Sequence, residues 1–302
     1  MSVIGRRAIA ALFRRDATLL ARRTCHTLSG SPDPTRLPCP STRIASSLVL
    51  VTFIAGLVAL IAPPVMAIAW RRRTHVPLRA FFCGMLIFFV FQPVLRMSWL
   101  IPLLQGLGRD PHWRVPFLVM AAFTAGLFEE CGRWVAFRYL LRTQRNPKAA
   151  VMYGLGHGGL EAMLLVGVGF LALSVGYALA AHGLMTRAPL LALIDAQFGN
   201  MTLASPLLAL AERASAMAVH VGLSLIVLRS FVGGGKRWLA VAIALHFVLD
   251  LLVVFLARYW NVDTVLIEGM LAVCAAIVLW FGVRCSRMPN GGAGSLKRDM
   301  AL

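Results

Sequence analysis

The run Phe128-Glu129-Glu130-Cys131-Gly132-Arg133 sets two carboxylates and a guanidinium inside a stretch that otherwise reads as a membrane-spanning helix. A charged group at a helix centre costs about 2.5–3.5 kcal/mol even on the mildest insertion scale, so three of them within five residues must be paired or used. Glu129 and Arg133 are four residues apart and Glu130 and Arg133 three apart, so either carboxylate can meet the guanidinium along one helical face. Consecutive residues diverge by about 100° around a helix. One glutamate held by Arg133 therefore leaves the other aimed at a neighbouring helix, free to act as a base.

Three further apolar stretches carry one histidine each, with a polar residue one turn along. In Tyr153-Gly154-Leu155-Gly156-His157-Gly158-Gly159-Leu160-Glu161, four glycines surround His157, and Glu161 shares its face. Gly154 and Gly158 have the small-xxx-small spacing that lets helix backbones touch in lipid, which would press His157 against a partner helix. Glu212, Arg213, His220 and Ser224 follow, the last three on roughly one face, and then His246 with Asp250. His157, His220 and His246 each lie about eight residues from the end of their span that is rich in basic residues, about 12 Å below the boundary at 1.5 Å per residue. Arg133 sits at nearly the same level. Carboxylates, imidazoles and guanidinium are thus expected in one layer.

Such a layer can hydrolyse a peptide bond without a covalent intermediate. A glutamate poised against a histidine in a dry site can activate water, and the His246 and Asp250 pair can stabilise the oxyanion. The same groups also suit metal chemistry. The residues commit to no cofactor, yet zinc could be held by His157, Glu161, His220 and His246. No H-E-x-x-H motif occurs to support that variant.

The elements that must position these groups follow from composition. Of the 302 residues, 59% are hydrophobic and 14% charged, against roughly a quarter charged in soluble domains. Apolar runs near the length of about 20 residues that crosses a bilayer fall at 48–70, 80–104, 115–141, 149–173, 206–228, 238–257 and 264–283. The expected fold is all-α, a polytopic transmembrane helical bundle of about seven spans, in one domain over residues 46–285. The stretch 185–204, with Asp195 and Asn200, is left open as a re-entrant or interfacial piece.

The formal charge of +18 is a matter of topology and lipid contact rather than nucleic-acid binding. Basic residues gather at alternate span ends: Arg71, Arg72, Arg73 and Arg79, then Arg142, Arg145 and Lys148, then Arg229, Lys236 and Arg237, then Arg284, Arg287, Lys297 and Arg298. The opposite loops hold Arg109, Arg114, Arg187 and Arg258. The bias predicts a cytoplasmic C-terminus, residues 286–302 forming a cytoplasmic tail of a protein of a bacterial inner membrane. Residues 1–45 break the pattern with eight arginines and read as a disordered extension resembling a transit peptide. Six cysteines without a C-x-x-C pair point to neither a disulfide framework nor a zinc ribbon. Cys131 reads as packing filler.

In combination, Glu129-Glu130-Cys131-Gly132-Arg133, Gly156-His157-Gly158-Gly159-Leu160-Glu161, Glu212-Arg213 with His220, and His246 with Asp250 resemble the YhfC-type membrane proteins. That family is regarded as intramembrane proteases distantly similar to the CAAX protease and bacteriocin-processing group. The resemblance covers about residues 50–283. It implies Glu129 as the water-activating base, Glu130 and Arg133 as its supports, His157 after Tyr153 as its partner, and His246 with Asp250 on the oxyanion side. Arg133 follows Glu130 by three residues, where the CAAX pattern has four, which leaves open which glutamate is the base. The substrate expected is a membrane-associated protein or peptide, reached at the lipid bilayer from the cytoplasmic side. A proton- or ion-coupled transporter is the competing reading, since buried carboxylates and histidines also form proton relays, although the two halves show no inverted repeat of broken helices. A third reading is an inert scaffold whose polar layer only fixes helix packing.

Overall fold

A computed structural model of the chain describes residues 44–107, 111–185 and 187–287. The N-terminal extension, save its last two residues, and the C-terminal tail from residue 288 lie outside the described residues. The described residues hold no strand. Among the described residues, seven helices are long and apolar enough to cross a membrane: α1 (Ser46–Thr74), α2 (Arg79–Leu107), α3 (Arg114–Leu140), α4 (Pro147–Ala181), α6 (Ala204–Leu228), α7 (Arg237–Arg258) and α8 (Thr264–Arg287). The stretch left open by sequence contains α5 (Ala188–Gly199), a largely apolar helix of twelve residues, too short to span. Its Ile194 and Phe198 pack against Leu48 of α1, and Phe198 meets Tyr177 of α4.

Local chemistry fixes the ends. Asn146 caps α4 by accepting the Ala149 N–H at 3.0 Å, with Pro147 at the first helical position. His75 takes the left-handed conformation that closes α1 and lets the chain turn into α2. The ends of neighbouring helices are stitched together: Trp70 Nε1 donates to the Lys148 carbonyl, and Arg79 donates to the Leu140 carbonyl. Arg145 donates to the Phe137 carbonyl and lies 4.6 Å above the Phe231 ring.

The centre belongs to α4 and α6. Helix α4 packs against α1, α2 and α6, while α6 also meets α8, α7 and α3. Of the apolar stretch of α6, 67% is buried within the protein, against 17% for α7, which marks α6 as the inner helix and α7 as a lipid-facing one. Outward faces are apolar, as a lipid boundary requires. Leu50, Ile54, Val58, Ile61 and Val65 form an exposed stripe along α1.

Glycines permit the close crossings. A side chain on Gly84 or Gly156 would run into the backbone of the facing helix, so α2 and α4 touch main chain to main chain beside His157. Gly154 and Gly158 lie against Val221, Met217 and His220 of α6. The small-xxx-small spacing thus does bring His157 against a partner helix, in close van der Waals contact of the kind that holds helices together in lipid. On the other side, Gly126 of α3 meets Ile243, His246 and Phe247 of α7. Each crossing delivers one histidine to the same interior region.

Candidate active site

The two adjacent glutamates of α3 divide as their angular separation requires. Glu130 is held by Arg133, whose Nη1 donates to Oε1 at 2.9 Å and to Oε2 at 2.7 Å. Glu129 turns to the neighbouring helices. Its Oε2 lies 2.9 Å from His157 Nε2, 3.8 Å from His220 Nδ1 and 3.8 Å from His246 Nε2. The imidazoles gather around it, with ring centroids 4.8 Å apart for His157 and His220 and 5.8 Å for His220 and His246. All four groups are buried.

A second tier orients the first. His246 Nδ1 is 2.8 Å from Glu130 Oε1, which leaves Nε2 facing Glu129. His220 Nε2 is 2.8 Å from Glu161 Oε2, and Glu161 Oε1 accepts from Arg213 Nη1 at 2.9 Å. Arg213 spends its other arm on Glu212 at 2.8 Å. Arg133 Nη2 lies 3.1 Å from His220 Nδ1. Because a guanidinium only donates, Nδ1 is the acceptor and the proton of that ring sits on Nε2, aimed at Glu161. Tyr153 stands behind His157, its hydroxyl 3.5 Å from Nδ1.

Two expected participants are placed elsewhere. Ser224 donates to the His220 carbonyl at 2.6 Å, one turn back on its own helix, and has no bond to the cluster. Asp250 is half-buried and within electrostatic reach of Arg96 and His246, but the hydrogen bond of His246 goes to Glu130. Two residues were missed by sequence reasoning. Gln92 of α2 donates its amide to Glu129 Oε1. Arg96, one turn on, donates to Gln92 Oε1 at 2.8 Å, to Thr124 at 3.2 Å and to the Ala121 carbonyl at 2.6 Å. The signal was available: a glutamine and an arginine one turn apart, around Pro93, within an apolar span.

The donor set suits a divalent metal. One oxygen of Glu129 and one nitrogen each of His157 and His220 lie within 4.8 Å of one another. Neighbouring donors in a tetrahedral zinc shell stand about 3.3 Å apart, close to the 2.9 and 3.8 Å separations from Glu129 Oε2. His220 and His246 each have a carboxylate behind the outward ring nitrogen, the usual support of a metal-binding imidazole. Charge is compatible with a cation: around the imidazoles stand buried Glu129, Glu130, Glu161 and Glu212 and half-buried Asp250, against buried Arg96, Arg133 and Arg213. A dication offsets those two excess carboxylates. Binding at His220 Nδ1 requires Arg133 Nη2 to yield that lone pair. Of the ligand set expected from sequence, His157 and His220 fall in this group of three, whereas His246 and Glu161, whose two oxygens bond to Arg213 and His220, do not.

No solved structure matches the chain. A Bacillus subtilis (strain 168) protein described as an uncharacterized membrane protein YhfC is 28% identical over 260 residues, covering 81% of this chain and 99% of that one. The family model described as YhfC intramembrane metalloprotease matches residues 57–274, which hold every residue of the cluster, and the chain belongs to that family.

Proposed function

We propose that this integral membrane protein is an intramembrane endopeptidase that hydrolyses a peptide bond of a membrane-embedded protein or peptide at the Glu129, His157, His220 and His246 cluster. The observation that carries the reading is the placement of one oxygen of Glu129 against three histidine nitrogens, with carboxylates behind two of those rings. Those supports favour metal-assisted hydrolysis over activation of water by Glu129 alone, which needs only the pairing with His157.

In this reading Glu129, His157 and His220 would hold zinc, and His246 would handle the proton. Zinc bound there supplies a Lewis acid and makes water nucleophilic at neutral pH. His246 Nε2 faces the cluster, and its Nδ1 is fixed on Glu130, which is in turn clamped by Arg133. This is a base oriented by a third group, and Nε2 is the atom that takes a proton from water and returns it to the leaving amine. Glu161 and Arg213 keep the His220 lone pair at Nδ1 directed inward. The apolar helices around the layer exclude bulk water, which strengthens each of these electrostatic contacts.

The test is the metal content of the full chain purified in mild detergent without chelator. About one zinc per chain, lost in His157→Ala, together with cleavage of membrane-peptide substrates that a chelator stops, is the expected result. A well-folded, metal-free protein that cleaves in the presence of chelator would return the mechanism to Glu129 acting directly on water. Proton-coupled flux in liposomes without cleavage would move the protein to a transporter.

A further inference from the structure

We propose that Gln92, locked by Arg96, positions Glu129, holding Oε1 so that Oε2 alone is offered to the histidines and to a metal. The inference rests on the metal-binding reading above and deepens it, since neither residue belongs to the donor set.

Glutamine can present either its amide nitrogen or its oxygen to a neighbour, and the neighbour on the far side decides which. Arg96 Nη1 lies 2.8 Å from Gln92 Oε1 and can only donate, so the amide is forced to aim Nε2 at Glu129. Arg96 is itself immobilised on α3 by Thr124 and the Ala121 carbonyl, upstream of Glu129 on the same helix. The relay therefore starts and ends on α3 and closes a loop through α2. Gln92 and Arg96 both lie buried in a π-helical segment, Val90–Arg96, that also contains Pro93. Such wide turns collect at functional sites, and this one turns Gln92 inward while Val94 and Leu95 stay on the lipid face. A buried arginine within a span is expensive unless used. Its use here is to fix the amide of Gln92.

A carboxylate with one oxygen tied back binds through the other only. Without the tie, Glu129 is free to rotate or to engage a metal with both oxygens.

The experiment is a competitive zinc titration of the full-length chain in mild detergent against a chromophoric chelator, paired with the visible spectrum of the cobalt(II)-loaded protein. Gln92→Met, which keeps length and removes the amide, should weaken zinc binding about 10- to 100-fold and change the cobalt spectrum. If Gln92→Met fails to fold, Gln92→Asn serves, since it keeps an amide near Arg96 but falls one methylene short of Glu129; the same loss is expected. Val94→Ala, on the lipid face of the same turn, should stay within about twofold of the parent. Unchanged affinity and spectrum in a folded Gln92 variant, or an equal loss in Val94→Ala, overturns the proposal while leaving the metal reading intact. A parent protein that binds neither metal overturns the metal reading itself, and the proposal with it.

Discussion

His246 Nδ1 lies 2.8 Å from Glu130 Oε1, across the crossing of α7 and α3, although Asp250 stands one turn along its own helix. The imidazole is thereby tied to the Arg133-bound carboxylate, and its Nε2 faces Glu129. His246→Ala should lower cleavage of a membrane-embedded peptide by about 10²–10⁴, the usual worth of a positioned acid or base. Asp250→Asn should cost less than about tenfold. Product formation measured by mass spectrometry separates the two, and an equal loss in both would transfer the orienting role to Asp250.

Removing Glu130 leaves Arg133 buried with its main counter-charge gone. Glu130→Ala is expected to destabilise the fold by about 3–5 kcal/mol, the general cost of breaking a buried pair from one side. Glu130→Met combined with Arg133→Met should recover much of that loss. Thermal unfolding in detergent reads the comparison, and a double variant no more stable than the single one would contradict it.

Glu161 meets the cluster at His220. Glu161→Gln should therefore leave the helices in place while lowering zinc affinity about 10- to 100-fold, as lost outer support does elsewhere. A chelator competition assay settles it, with an unchanged affinity counting against the role assigned to the Glu161 and Arg213 pair.

The crossing of α2 and α4 has no space for a methyl group at Gly156, where a side chain would meet the Phe81 backbone. Gly156→Ala should cost about 1–3 kcal/mol through forced separation of the helices, and the displaced His157 should lower metal binding as well. Gly169→Ala, which faces open space on the same helix, should remain within about 0.5 kcal/mol of the parent. Equal melting temperatures for the two variants would show that the crossing is looser than described.

The basic residues at the ends of α1, α6 and α8 and the starts of α2, α4 and α7 predict a cytoplasmic C-terminus. A C-terminal green fluorescent protein fusion should fluoresce, and a C-terminal alkaline phosphatase fusion in a bacterial host should stay inactive. The reverse pair of results would invert the orientation without moving any residue of the cluster.

Sequence alone determined the spans, the common level of the three histidines along them, and the need for Arg133 to hold one glutamate. Each follows from properties a single helix carries by itself: the apolar length that crosses a bilayer, the rise of 1.5 Å per residue, and the spacing of three or four residues along one face. Which glutamate Arg133 would choose, and what the histidines would meet, depended on how each helix is rotated about its axis and how closely it approaches the next. Those quantities are set jointly by Gly84 with Gly156, Gly154 and Gly158 with α6, and Gly126 with α7. Hence Glu130 rather than Asp250 became the hydrogen-bond partner of His246, Glu161 came to stand behind His220, and Ser224 turned back to its own helix. The relay of Gln92 and Arg96 is the clearest case, because its meaning lies in bonds between α2 and α3. No periodicity within either helix specifies a partner on another; only the packed bundle does.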